Sequence, residues 1–143
     1  MSHQVWIGGS PLPIAPTISD LLEAARARLD RLEPEAAHRA IVDDGAVLVD
    51  TRCSEARRER GRVPGALEIP LSVLYWRVGG ESAASDPRLA DHASRIVLLC
   101  AHGYSSSMAA ATLQDLGFPG ATDVIGGFDA WEAAGLPVEA VSD

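Results

Sequence analysis

The stretch Ile96-Val97-Leu98-Leu99-Cys100-Ala101-His102-Gly103-Tyr104-Ser105-Ser106-Ser107 constrains the fold more than any other part of the chain. Four consecutive apolar residues, two of them β-branched, fit a strand buried on both faces, as in a parallel sheet covered by helices. A cysteine ends the strand. A serine run then opens Met108-Ala109-Ala110-Ala111-Thr112-Leu113-Gln114-Asp115-Leu116, which reads as a helix. The pattern puts one thiol at the carboxyl end of a buried strand, just before a helix N-terminus. In open α/β sheets, ligands bind along that edge. Unpaired N–H groups and the helix dipole there favour an anion. The same field favours thiolate over thiol.

The rest of the chain repeats the alternation of strand and helix. Residues 46–50 (Ala-Val-Leu-Val-Asp) read as a second buried strand ending on a carboxylate. Shorter strands are expected at 29–32, 67–69 and 121–125. Helices are expected from Thr17 or Ser19 to about Arg28, from Pro34 to about Asp43, over 54–60 and 71–78, and over 128–134, with one or two turns at 87–93. Gly117 closes the helix after the serine run. Residues 1–16, with prolines at 11, 13 and 16, read as an irregular arm. Strands alternating with helices predict an α/β domain with a mostly parallel sheet. At 143 residues the chain suits one domain with one core.

Charge and residue usage exclude several functions. Net charge is −8, which argues against a nucleic-acid partner. All twelve basic residues are arginine, so neither Schiff-base chemistry nor a P-loop lysine is available. Cys53 and Cys100 lack the spacing of a metal pair and are too few for a disulfide framework, so no metal or other cofactor is expected. No apolar run reaches the ~18 residues of a membrane span, and residues 1–10 do not read as a signal peptide. A reducing cytoplasm, with Cys100 as a free thiol, is the expected setting.

Four segments, in order and spacing, resemble the rhodanese-like family of sulfurtransferases. Leu48-Val49-Asp50-Thr51-Arg52 is similar to the family's apolar-Asp-x-Arg segment. Gly61-Arg62-Val63-Pro64-Gly65-Ala66-Leu67-Glu68-Ile69-Pro70 is similar to its Pro-Gly-Ala signature, with Arg62 where histidine is usual. Cys100 to Ser106 is similar to the active-site loop, and Gly126-Gly127-Phe128-Asp129-Ala130-Trp131 to the C-terminal signature. Many members carry arginine at the position of Ser105. This chain instead resembles the branch with a Cys-x-His-Gly-x-Ser-Ser loop, known for single-domain thiosulfate sulfurtransferases. The resemblance covers residues 29–138 and leaves 1–28 as an added arm and helix. It implies a rhodanese-like fold: a central five-stranded, mostly parallel sheet flanked by helices on both faces.

The resemblance also implies chemistry. Cys100 would take sulfur from a donor such as thiosulfate as a persulfide and pass it to cyanide or a thiol, a thiol-bearing protein included. Displacement at sulfur needs a thiolate. A short loop of Ala101, His102, Gly103, Tyr104, Ser105 and Ser106 can aim N–H groups at the sulfur, as an anion nest does. Gly103 permits a backbone that other residues resist, and the serines can supply hydroxyl donors and cap the next helix. Asp50 and Arg52 are assigned structural hydrogen bonds beneath the loop. His102 has three readings: orienting the loop, binding the donor, or facing solvent. Tyr104 has two, as pocket wall or exposed loop tip. Cys53 reads as an incidental thiol, with a resolving partner as the alternative. Arg58, Arg62 and Arg77 read as surface residues, with a pull on anionic donors as the alternative. A phosphatase of the same fold would need arginine in the loop, and a partner-binding or oxidant-sensing module would need no turnover.

Overall fold

The computed structural model describes residues 15–142 and, before them, the backbone of Trp6–Ile7 and Ser10–Pro11. Those two segments, β1 (Trp6–Ile7) and β2 (Ser10–Pro11), pair antiparallel within the predicted arm. The rest of that arm, up to residue 14, lies outside the described residues. Helix α1 spans Ile18–Ala27. Thr17, not Ser19, starts it. Its hydroxyl accepts from the Asp20 N–H, and the Asp20 carboxylate accepts from the Thr17 N–H, a reciprocal cap that satisfies two orphan donors. Helix α2 (Pro34–Asp44) begins on proline, whose missing N–H costs nothing there, and stops at Gly45 in the left-handed region.

The main sheet holds β3 (Val47–Asp50), β4 (Leu67–Glu68), β5 (Ile96–Leu99) and β6 (Thr122–Asp123), all parallel, in the spatial order β4-β3-β5-β6. Between them run α3 (Ser54–Arg60), α4 (Leu74–Arg77) and α5 (Ser105–Asp115), and α6 (Gly127–Ala133) follows β6. Tight 3₁₀ turns occupy Leu71–Val73 and Pro87–Leu89.

Five strands were expected and four form. The segment 29–32 contributes one parallel bridge, Leu32 to Val124, with the Leu32 N–H on the Asp123 carbonyl and the Ile125 N–H on the Leu32 carbonyl. It goes no further because Pro34 opens α2 two residues later and Arg31 turns its side chain onto Asp123. The other boundaries fall within a few residues of expectation.

Period-two alternation in β3 and β5 divides the core. Val49, Ile96 and Leu98 face one side, against Ala109, Ala110 and Leu113 of α5 and against Leu74. Leu48, Val97 and Leu99 face the other, against Ala37 and Ala40 of α2 and Phe128 and Trp131 of α6. Helices therefore cover both faces, which is why β5 reads as an unbroken apolar run.

From β3 the chain moves outward to β4, and from β5 it moves the opposite way to β6. The divide falls between β3 and β5, where Asp50 pairs with Leu99 at the carboxyl ends. Such a switch point opens a crevice, and Cys100 is the next residue after β5. The account of the core predicts that Leu98→Ala, at a fully buried position, lowers unfolding free energy by about 3 kcal/mol in chemical denaturation. A loss below about 1 kcal/mol would contradict this packing.

Candidate active site

Cys100 is buried, with 5% of its surface exposed, yet its sulfur does not sit among hydrocarbon. The Gly103 N–H donates to Sγ at 3.1 Å. The thiol donates to Ser106 Oγ at 3.2 Å, and that hydroxyl donates to the Asp123 carboxylate at 2.7 Å. Burial is the largest single influence on the thiol and pushes its pKa up. The Ser106 hydroxyl and N–H, the Ser105 hydroxyl and the Gly103 N–H together outweigh it and bring the thiol below its ordinary value. Hydrogen bonds to the charged form are the cause.

The loop curls because its backbone lies on that of the α6 entry. Gly103 has φ of +83°, and a Cβ there would meet the Gly126 nitrogen at 2.7 Å. A Cβ on Gly127, at φ +61°, would meet the Cys100 carbonyl oxygen and the Gly103 nitrogen. Only glycine fits both a left-handed backbone and so close an approach. Two further bonds fasten the loop: the Phe128 N–H donates to the Cys100 carbonyl at 2.8 Å, and the Asp129 N–H to the Ala101 carbonyl at 3.1 Å.

Asp123, with no exposed surface, sits beneath the loop. It accepts from Arg31 Nε at 2.9 Å and Nη2 at 3.2 Å, from Ser106 Oγ, and from Ser107 Oγ at 2.8 Å. Sequence reasoning missed Asp123, Arg31 and Ser107. The one signal was a carboxylate inside the expected strand 121–125, a residue that is almost never fully buried unless paired. The expectation that Ser105 and Ser106 cap the following helix is corrected. Tyr104 occupies the cap position and no side chain caps. Ser106 and Ser107 are inside α5, with their hydroxyls drawn to a carboxylate, a stronger acceptor than a neutral group.

Asp50 and Arg52 do not touch the sulfur. Both are buried and form a close ion pair, with the Arg52 guanidinium also on the Gly61 carbonyl and 3.8 Å from the centre of the Phe128 ring. The Phe128 ring under Arg52 belongs to the residue whose N–H holds the Cys100 carbonyl, and Asp50 lies beside Leu99 in the sheet. His102 is exposed on the rim, where Nδ1 meets Asp129 Oδ2 at 2.6 Å. Arg60 first, and then His102, hold the Asp129 carboxyl below the usual carboxylate range. Tyr104 is exposed and lies over the Arg26 guanidinium at 5.5 Å. With Ser105, Ile18, Ser19, Leu22 and Met108 it lines a largely apolar groove of about 440 Å³ beside the loop.

Of the remaining candidates, Cys53 is an exposed free thiol before α3. Arg62 pairs with Glu68, and Arg58, Arg77 and Trp76 are exposed. Trp131 is core, its indole N–H on the Pro137 carbonyl. Among the described residues no cluster of His, Cys, Asp and Glu could hold a metal ion, and no helix is long and apolar enough to cross a membrane.

A lone cysteine in a short glycine-containing loop, at the switch point of a small parallel sheet with helices on both faces, defines an α/β domain with a thiol at its ligand edge. The family model for the rhodanese-like domain matches residues 33–134, and the chain belongs to that family. It is similar to the thiosulfate sulfurtransferase GlpE of Actinobacillus succinogenes, 33% identical over 76% of this chain and 88% of that one. The GlpE of Pseudomonas syringae pv. syringae is 38% identical over 78% of this chain and 93% of its own. A solved structure from Rhodopseudomonas palustris, a protein of unknown function described as a possible tyrosine phosphatase, superposes with a TM-score of 0.80. It is 30% identical and covers 92% of this chain and all of that one.

Because Asp123 is the buried counter-charge of Arg31, Asp123→Asn should lower unfolding free energy by about 3 kcal/mol in denaturant titration. A variant within about 1 kcal/mol of the parent would show that the carboxylate does not hold the loop.

Proposed function

We propose that this chain is a sulfurtransferase that carries sulfane sulfur as a persulfide on Cys100. The observation that carries the reading is the bond from the Gly103 N–H to Sγ, within a hydroxyl-lined loop at the ligand edge of the sheet. Support comes from membership of the rhodanese-like family and from relatives named thiosulfate sulfurtransferase. The domain runs from about residue 29 to 138, with the arm and α1 before it.

Thiosulfate serves as the small donor. The Cys100 thiolate attacks its outer sulfur, a new S–S bond forms, and the bond to the sulfonate breaks with its electron pair leaving on sulfite. Cyanide or a thiol then attacks the outer sulfur of the persulfide, and Cys100 regains the electron pair as thiolate. Each step is nucleophilic displacement, and the thiolate is the species that reacts. When Cys100 ionises, the Ser106 hydroxyl can turn from Asp123 to the sulfur, while Arg31 and Ser107 continue to hold Asp123. One proton of the loop thereby follows the charge without any backbone movement. Ala101 and Gly103 supply the curl, Ser105 and Ser106 the hydroxyl donors, and Tyr104 the wall of the entrance. His102, held by Asp129 at the rim, meets the sulfonate of an incoming donor. Asp50 and Arg52 support the loop from below.

The phosphatase reading is weaker. Enzymes of that kind grip phosphate with an arginine in the loop, bidentately. Here the fifth and sixth residues after Cys100 are Ser105 and Ser106. The arginines nearest the loop spend their guanidiniums on the Gly103 carbonyl and Asp123, not on its interior.

Intact mass after treatment with thiosulfate tests the proposal. The parent should gain one sulfur atom and lose it to cyanide or dithiothreitol, and Cys100→Ser should gain none. A parent that gains no sulfur from thiosulfate or from an organic persulfide would overturn the reading in favour of a binding module. Cys100-dependent hydrolysis of an aryl phosphate in its place would favour the phosphatase.

A further inference from the structure

The family-model match begins at residue 33, yet two side chains from before that point end on the loop. Arg26 of α1 donates from Nη2 to the Gly103 carbonyl at 2.7 Å and from Nε to Ser107 Oγ at 3.1 Å. Arg31, in the linker after α1, donates from Nη2 to the same carbonyl at 3.1 Å while pairing with Asp123. We infer that Arg26 and Arg31 are positioning residues for the sulfur-binding loop, and that α1 is thereby a working part of the site rather than an appendage. The inference rests on Cys100 being the sulfur carrier, but the thiol's ionisation tests it without any sulfur donor.

Two physical effects follow from the convergence of two guanidiniums on one carbonyl. The first is orientation. The Gly103–Tyr104 peptide is trans, so its N–H points opposite to its C=O. A carbonyl pinned toward Arg26 and Arg31 holds the Tyr104 N–H on the side away from them. Gly103, free to adopt many backbone conformations, needs such an outside anchor to keep one. The second effect is charge. Arg26, Arg31 and Asp123 together leave one excess positive charge against the loop. A thiolate or persulfide inside the loop is its complement. The loop itself, from Ala101 to Ser107, carries no arginine or lysine, so the fixed cations come from behind its backbone.

Helix α1 is built to deliver Arg26. Its start is fixed by the Thr17–Asp20 reciprocal cap and it packs along α5. Just past its end, Arg28 pairs with Asp115 and the Arg28 carbonyl accepts from the Gln114 amide. The Asp30 carbonyl then accepts from the Thr122 hydroxyl. These bonds fix the chain before and after Arg26. Tyr104 lies over its guanidinium and limits its freedom further.

The test follows alkylation of Cys100 by iodoacetamide against pH, in a Cys53→Ser background so that one thiol reports. Arg26→Gln should raise the midpoint of the profile by about half a pH unit to one unit. Arg26→Met, which keeps an apolar stem under Tyr104, should show the same shift if the glutamine variant does not fold. Arg26→Lys, which keeps the charge, should recover at least half of it. Melting temperatures taken alongside separate this from a structural role, which would lower stability and leave the midpoint in place. A folded Arg26→Gln or Arg26→Met protein with the parent's midpoint would overturn the inference, and so would a lysine variant shifted as far as glutamine. Neither result would bear on whether the parent forms a persulfide. Failure of the parent to form a persulfide would remove the sulfur-transfer reading and leave the alkylation result standing.

Discussion

Asp123 has no exposed surface and four hydrogen bonds, and the rest of the site is arranged around that carboxylate. Removing a charge from water costs several kcal/mol, and only a well-formed pair with its remaining lone pairs satisfied recovers it. Arg31 provides the pair, and Ser106 and Ser107 provide the rest. Both serines sit on the first turn of α5, so satisfying Asp123 also fixes where α5 begins. That in turn fixes the span of chain between Leu99 and Ser105, and Cys100 has little freedom within it. The geometry at the sulfur is therefore set from below, by a charge that never meets substrate.

Two consequences bear on chemistry. Burial alone would make Cys100 a poor nucleophile, because it disfavours the thiolate. The loop reverses that with nearby donors. Ser106 links the two requirements, since its single proton serves either Asp123 or the sulfur. The persulfide of the proposed reaction is an anion at the same place, so the donors that favour the thiolate also suit that state. Preorganised donors of this kind need no rearrangement when charge arrives.

Much of this was legible in the sequence, for physical reasons that differ by element. Ile96–Leu99 and Val47–Asp50 are covered on both faces and so show as apolar runs. Gly103 and Gly127 were visible as glycines within motifs, and the structure explains them by positive φ and backbone contact. The fifth strand was over-read because 29–32 has apolar ends, while Arg31 in its middle had a distant partner that no local pattern reveals. Ser106 was misassigned for the same reason. A hydroxyl before a helix suggests a cap, but here the acceptor lies 17 residues away. Long-range ion pairs leave no period in a sequence, and the brace from Arg26, 77 residues from Gly103, leaves none at all.

The central claim is that hydrogen-bond donors around a buried sulfur bring its pKa below that of an ordinary cysteine in spite of burial. Ultraviolet absorbance of the thiolate, titrated in the resting protein with Cys100→Ser subtracted, measures that directly. The account predicts an inflection below the free-cysteine value of about 8.5. An inflection at or above that value would mean that burial prevails over the loop, and the account would be wrong.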